Sequence, residues 1–197
     1  MGNPEWPHKM TKALGEHLEK GAVEEIMAGS EQLAEMDEKA RAAWMTGAMD
    51  KIDEHVADQE IKIKILTACS CECYVEHLDE FKKEWNAHQD IDKLLALMHG
   101  KVFLNKPERE RNIVYITKAP RFPKEHQQAQ TPAEKRYYFC HCDYARAVAE
   151  TISPTYCLCG AGWCKKIWSA VFERPVRVDI VQSVLQGDEV CQFAVHL

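Results

Sequence analysis

Through the first hundred residues, apolar positions recur at helical spacing. Met10, Leu14 and Leu18 stand at i, i+4 and i+8, and Val23, Ile26 and Met27 continue an apolar face, with Gly15 and Gly21 as breaks. Ser30 is placed to cap a second helix carrying Leu33, Met36, Ala40, Ala43, Trp44, Ala48 and Ile52. Asp58 is placed to cap a third. There Ile61, Ile63 and Ile65 alternate as in a strand, but Ile61, Ile65 and Leu66 also share a helical face, and helix is the reading adopted. A further helix is predicted over residues 77–86. Asp90 opens another, with Ile91, Leu94, Leu95 and Met98 on its apolar face and Gly100 as its stop.

The pattern changes after Gly100. Residues 112–118 (NIVYITK) are rich in strand formers. Residues 119–135, with three prolines and three glutamines, read as a long loop, and residues 136–141 as a short aromatic strand. A helix is predicted over 144–152, ended by Ser153-Pro154, and another over 155–172. Residues 176–185 alternate as a strand does; Gly187-Asp188 makes a turn and 190–196 the return strand of a hairpin. The expected class is α+β: a helical region over 1–100, then a region over 101–197 built on an antiparallel sheet of about four strands packed with helices. The two also read as one continuous domain.

Composition narrows the function. A chain of 197 residues buries about 70% of its unfolded surface, so it needs no metal or disulfide merely to fold. The net charge of −6 argues against broad contact with nucleic acid or an anionic membrane. No apolar run approaches the roughly 20 residues of a membrane span. The polar stretch 1–10 has no signal-peptide core, so a cytoplasmic protein is expected. The N-terminal helices, with Trp44 and several methionines, offer a face for a homodimer, although intramolecular core is the simpler use for it.

Nine cysteines change the picture most. Without an export signal they read as thiols, metal ligands or catalytic groups rather than a disulfide framework. The plain alternative is small core side chains. They crowd into Cys140-His141-Cys142, Cys157-Leu158-Cys159 and Cys164, ahead of which lies Cys69-Ser70-Cys71-Glu72-Cys73. The last three thiols would share one face only of an extended segment. In Gly160-Ala161-Gly162-Trp163, two small residues let a backbone or ligand approach closely.

Three chemistries fit these thiols. A structural metal, zinc or iron, wants four soft or borderline ligands, and the candidate cage is Cys140, Cys142, Cys157 and Cys191. A nucleophile near a helix start would be Cys159, with His141 as its base. Reversible disulfides within the Cys-x-Cys pairs rank below metal, because the ring is small. For a small-molecule pocket the aromatic candidates are Tyr115, Tyr138, Trp163, Trp168 and Phe193, with Tyr138 and Trp163 taken as the ligand contacts. Lys118, Arg121 and Arg146 are candidates to meet a carboxylate, solvated charge being the default reading. No P-loop, dinucleotide fingerprint or His-Glu-x-x-His is present.

From Cys157 onward the chain has a recognisable layout. Gly160 and Gly162 precede an amphipathic helix, then come Arg174-Pro175-Val176, an alternating strand, and Gly187-Asp188-x-x-Cys191-x-Phe193. This resembles the 4-vinyl reductase type of small-molecule-binding domain, and is also similar to the end of proteins grouped with L-2-amino-thiazoline-4-carboxylate hydrolase. The resemblance implies fold more than activity. In phenol-sensing members, zinc is held by a Cys near the helix start, a Glu and a Cys on the strand, and a Cys after the turn. Cys157 and Cys191 look like the first and last, whereas Ile180 and Ser183 stand at the strand positions. The expected function is a sensory-type protein binding a small molecule, a metal or both. The alternative is a thiol-dependent hydrolase of a small carboxylated substrate.

Overall fold

The computed structural model describes residues 5–101, 104–105, 107–148 and 152–197. The first half is helical: α1 (Trp6–Gly15), α2 (Lys20–Met27), α3 (Glu38–His55), α4 (Gln59–Cys69), α5 (Val75–His88) and α6 (Ile91–Met98). Three of them, α3, α4 and α6, start at an aspartate cap. Asp37 accepts from the Ala40 N–H, Asp58 from Glu60 and Asp90 from Asp92 and Lys93. Such caps satisfy backbone donors that a first turn leaves unpaired. Ser30 does not open the long second helix. It begins a 3₁₀ turn, Ser30–Gln32, and the helix waits for Asp37, whose carboxylate is the better cap.

After α6 come β1 (Glu108–Glu110), β2 (Ile113–Thr117), α7 (Pro123–Gln128), α8 (Pro132–Phe139), α9 (Leu158–Phe172), β3 (Arg177–Gln182) and β4 (Gln192–His196). The sheet is antiparallel throughout, in the order β1-β2-β4-β3. The fold is therefore α+β, with helices first and a four-stranded antiparallel sheet after them. The β3–β4 hairpin forms as expected, with Ile180 opposite Phe193. Gly187 adopts φ 94° at its turn, a conformation that suits glycine. The Asp188 carboxylate accepts the Ser183 N–H at 2.8 Å. The Gly-Asp pair is thus explained by the turn.

Three expectations between the strands are corrected. The loop predicted over 119–135 contains α7, and the strand predicted over 136–141 is the end of α8. Thr131-Pro132-Ala133-Glu134 forms a full capping box with proline in the first turn. That start signal prevails over the strand preference of Tyr137, Tyr138 and Phe139. The helix predicted over 144–152 is a 3₁₀ turn, Arg146–Val148, and residues 149–151 lie outside the described residues.

The helix α9 is the centre of the packing, laid against α4 and α5 on one side and against β3 and β4 on another. Gly162 makes the first contact possible. A Cβ there would stand 2.5 Å from the Thr67 Cα, closer than any real side chain could come. Two main apolar clusters result, and both draw from either half of the chain. One joins Trp6, Met10, Met49 and Leu66 to Tyr156 and Leu185. The other joins Phe81 and Leu94 to Trp163, Ile167 and Val195. No helix among the described residues is long and apolar enough to cross a membrane.

Candidate functional site

Where α1, the α4–α5 turn, the end of β2, the α8–α9 connection and the start of α9 meet, they enclose a chamber of about 300 Å³. Its aromatic walls are Trp6, Tyr144, Tyr156 and Trp163. Five thiols line it: Cys69, Cys71, Cys73, Cys142 and Cys159. Lys118, Arg121, His141 and Asp143 supply the charged and polar groups, and Gly160 leaves room beside the Phe193 ring. A larger groove of about 770 Å³ runs between α4, α9 and β3. No cysteine lines it, whereas five line the smaller chamber.

Lys118 is the distinctive residue. It follows Val114 and Ile116 on the buried face of β2 and is only 8% exposed. Its ammonium sits 4.4 Å from the Trp163 ring centre and 5.8 Å from that of Phe193, a cation–π arrangement. Burial disfavours its charge, but the surrounding sulfurs of Cys142, Cys71, Cys191 and Cys159 outweigh that and hold its pKa above the usual lysine value. Two further donors belong to walls of this chamber. The indole N–H groups of Trp6 and Trp163 are buried with no hydrogen-bond partner among the described residues. That of Trp163 lies near the Cys73 sulfur without meeting hydrogen-bond geometry. Buried donors without acceptors are rare in folded proteins.

The thiols fall into distinct states. Cys71 and Cys73 are exposed at the mouth of the chamber, their sulfurs 3.8 Å apart. The contact with Cys73 pulls the Cys71 pKa down to about 6 against the effect of burial, and Lys118 adds to the fall; Cys73 moves up in return. Cys142 is lowered by its contact with Cys140, which is raised. Burial is the main cause that raises the others. Cys159 is pushed well above the ordinary thiol range, and Cys69 and Cys164 up to about 12.

The expected site residues are only partly brought together. Cys159 and His141 do line the same chamber, as a nucleophile and base would. Burial raises the Cys159 pKa well above the ordinary thiol range. His141 Nε2 donates to the Ala119 carbonyl at 2.7 Å, and burial, with Lys118 and Arg121, lowers its pKa to about 4. Of the two aromatic candidates Trp163 forms a wall, whereas Tyr138 packs on Phe122 and Tyr137 away from the chamber. The helical form of residues 132–139 accounts for its position. Arg121 lines the chamber, while Arg146 is held by Glu38 and Asp143.

The four thiols of the expected cage occupy one region. Cys140 is buried with Phe139 and Val184, and Cys142 and Cys191 pack against that cluster. Cys157 stands 2.8 Å from the Ser183 hydroxyl, with burial pushing its pKa up to about 12. Among the described residues, no three His, Cys, Asp or Glu side chains are arranged to hold a metal ion.

The sequence pattern left Trp6, Cys71 and Cys73 out of the site, and offered Lys118 as a candidate to meet a carboxylate with solvated charge as the default. A signal for Lys118 was present: positions 114, 116 and 118 share one face of a strand, and the first two are apolar. Comparison with known proteins adds little to the chemistry. Residues 129–197 match a family of unknown function, DUF6144. No curated protein and no solved structure matches the chain.

Proposed function

We propose that this protein binds a small molecule in the thiol-lined chamber, and that the ligand carries a carboxylate or a similar compact anionic group. The observation behind this reading is the buried Lys118 ammonium in an aromatic cavity whose walls include Trp6 and Trp163, the indole N–H groups of which have no hydrogen-bond partner among the described residues. An ammonium out of water is costly unless a counter-charge meets it. Among the described residues no carboxylate forms an ion pair with Lys118, and an anionic ligand would fill that role and accept from the indoles. Chambers of this size take small ligands, with a few polar groups setting orientation.

The experiment uses two alkylating reagents of nearly equal size. Iodoacetate carries a carboxylate and iodoacetamide does not. At Cys71 the iodoacetate-to-iodoacetamide rate ratio is expected to exceed that of free cysteine several-fold, and to return to the free-cysteine ratio in Lys118→Met. A ratio equal to that of free cysteine in the natural chain defeats the reading. Taking a ratio cancels any general effect of Lys118 on thiol reactivity.

A thiol-dependent hydrolase of a small carboxylated substrate is the second reading, favoured by one observation. Cys71, not Cys159, has the depressed pKa, about 6. A thiolate is the attacking form, so a nucleophile in this chamber would be Cys71 at the mouth, facing a substrate anchored on Lys118.

A further inference from the structure

The pair Cys71 and Cys73 differs from the other contacting pair, Cys140 and Cys142, in being exposed. Cys69 donates to the Ile65 carbonyl and lies 3.5 Å from the Met10 sulfur; Cys157 is engaged with Ser183; Cys140 and Cys164 are buried. Cys71 and Cys73 instead project from the turn between α4 and α5, exposed, with each other as nearest sulfur at 3.8 Å. They also line the chamber that holds Lys118.

From this geometry we infer that Cys71 and Cys73 form a two-coordinate site for a soft, monovalent, thiophilic cation such as copper(I). Thiolate sulfur selects soft ions, copper(I) among them. Zinc asks for four ligands, and no third His, Cys, Asp or Glu stands with this pair. A linear sulfur–metal–sulfur unit needs its sulfurs roughly 4.5 Å apart, twice a typical metal–sulfur bond. The pair reaches that by a small side-chain rotation, which an exposed turn permits. On binding, each thiol loses its proton to solvent and donates an electron pair to the ion. No oxidation state changes. The resulting bis-thiolate carries one net negative charge, and Lys118, whose ammonium meets no carboxylate among the described residues, supplies the balancing positive charge. Lys118 is also the anchor of the proposed ligand, so the ion and an anionic ligand compete for its charge, while coordination itself needs only the two sulfurs.

The test uses the full, reduced chain under anaerobic conditions. Copper(I) is delivered to one equivalent from a chromophoric copper(I) chelator, and the cysteines are then alkylated and mapped by peptide mass spectrometry. Alkylation of Cys71 and Cys73 is expected to slow roughly tenfold or more, a difference of about 1.4 kcal/mol or greater, while the other cysteines keep their rates. The Cys71→Ser/Cys73→Ser chain is expected to compete with the chelator at least about tenfold less well. Both positions are exposed, and circular dichroism checks that this chain is folded. Protection spread over many cysteines, protection centred on Cys140 and Cys142, or undiminished competition by the double variant would each overturn the inference. So would equal protection by one equivalent of zinc.

Discussion

Lys118 and Cys71 influence each other across the chamber mouth, and the consequence is measurable one residue at a time. The alkylation rate of Cys71 by neutral iodoacetamide is expected to rise with pH through a midpoint near 6, well below the roughly 8.5 of a free thiol. Lys118→Met removes a favourable charge and should move the midpoint upward, as does Cys73→Ser, which removes the larger cause. His141 provides a second titration. Its folded pKa, about 4, lies below the ordinary value of 6.5. The unfolded chain therefore takes up a proton that the folded chain refuses as pH falls from about 6.5 towards 4. Stability from this group is complete above 6.5 and declines across that window. Urea midpoints at pH 7, 5.5 and 4.5, with His141→Gln as the flatter comparison, measure it. Such single-residue properties were barely legible in the sequence. A thiol's pKa depends on which sulfur and which ammonium stand beside it, and Cys71 meets Lys118 across 47 positions of chain by numbering alone.

Elements were more legible, because caps and apolar periodicity are local. Asp58, Asp90, the α9 stripe and the Gly187 turn all read correctly. Where two local signals competed, the stronger hydrogen-bond signal prevailed. Ser30 yielded to Asp37, and aromatic strand preference yielded to the Thr131–Glu134 capping box. The glycines ahead of Trp163 show what periodicity cannot supply. Both were expected to admit a close neighbour, but the neighbours differ. Gly162→Ala drives a methyl group into the α4 backbone at Thr67 and is expected to cost roughly 3 kcal/mol or more. Gly160→Ala meets only the edge of the Phe193 ring, which can give, and should cost about 1 kcal/mol or less. Paired denaturant titrations of the two variants check the contrast. Comparable losses for both would mean that α4 and α9 are not in the tight contact described.

At the scale of the whole molecule, the division into a helical first half and a sheet-bearing second half is real in sequence but does not divide the core. Both main clusters mix side chains from before and after residue 100. Residues 101–197 alone would leave Ile167, Trp168 and Gly162 without their cover of α4 and α5. That chain is expected to lack a cooperative thermal transition. A sharp transition near that of the full chain would show that the second half folds unaided. The fold class was legible from pattern because each half has its own periodicity. The chamber was not, since its walls come from five separated stretches whose meeting is a property of the packing.

That separation bears on how the protein is made. The thiols of the α4–α5 turn leave the ribosome about ninety residues before Trp163, another wall of the same chamber. At ordinary rates of translation this interval lasts on the order of 5–20 seconds. Until it closes, the two thiols lack the full set of neighbours that the finished chamber sets beside them. Any chemistry that depends on those neighbours therefore begins only when the last wall has been made.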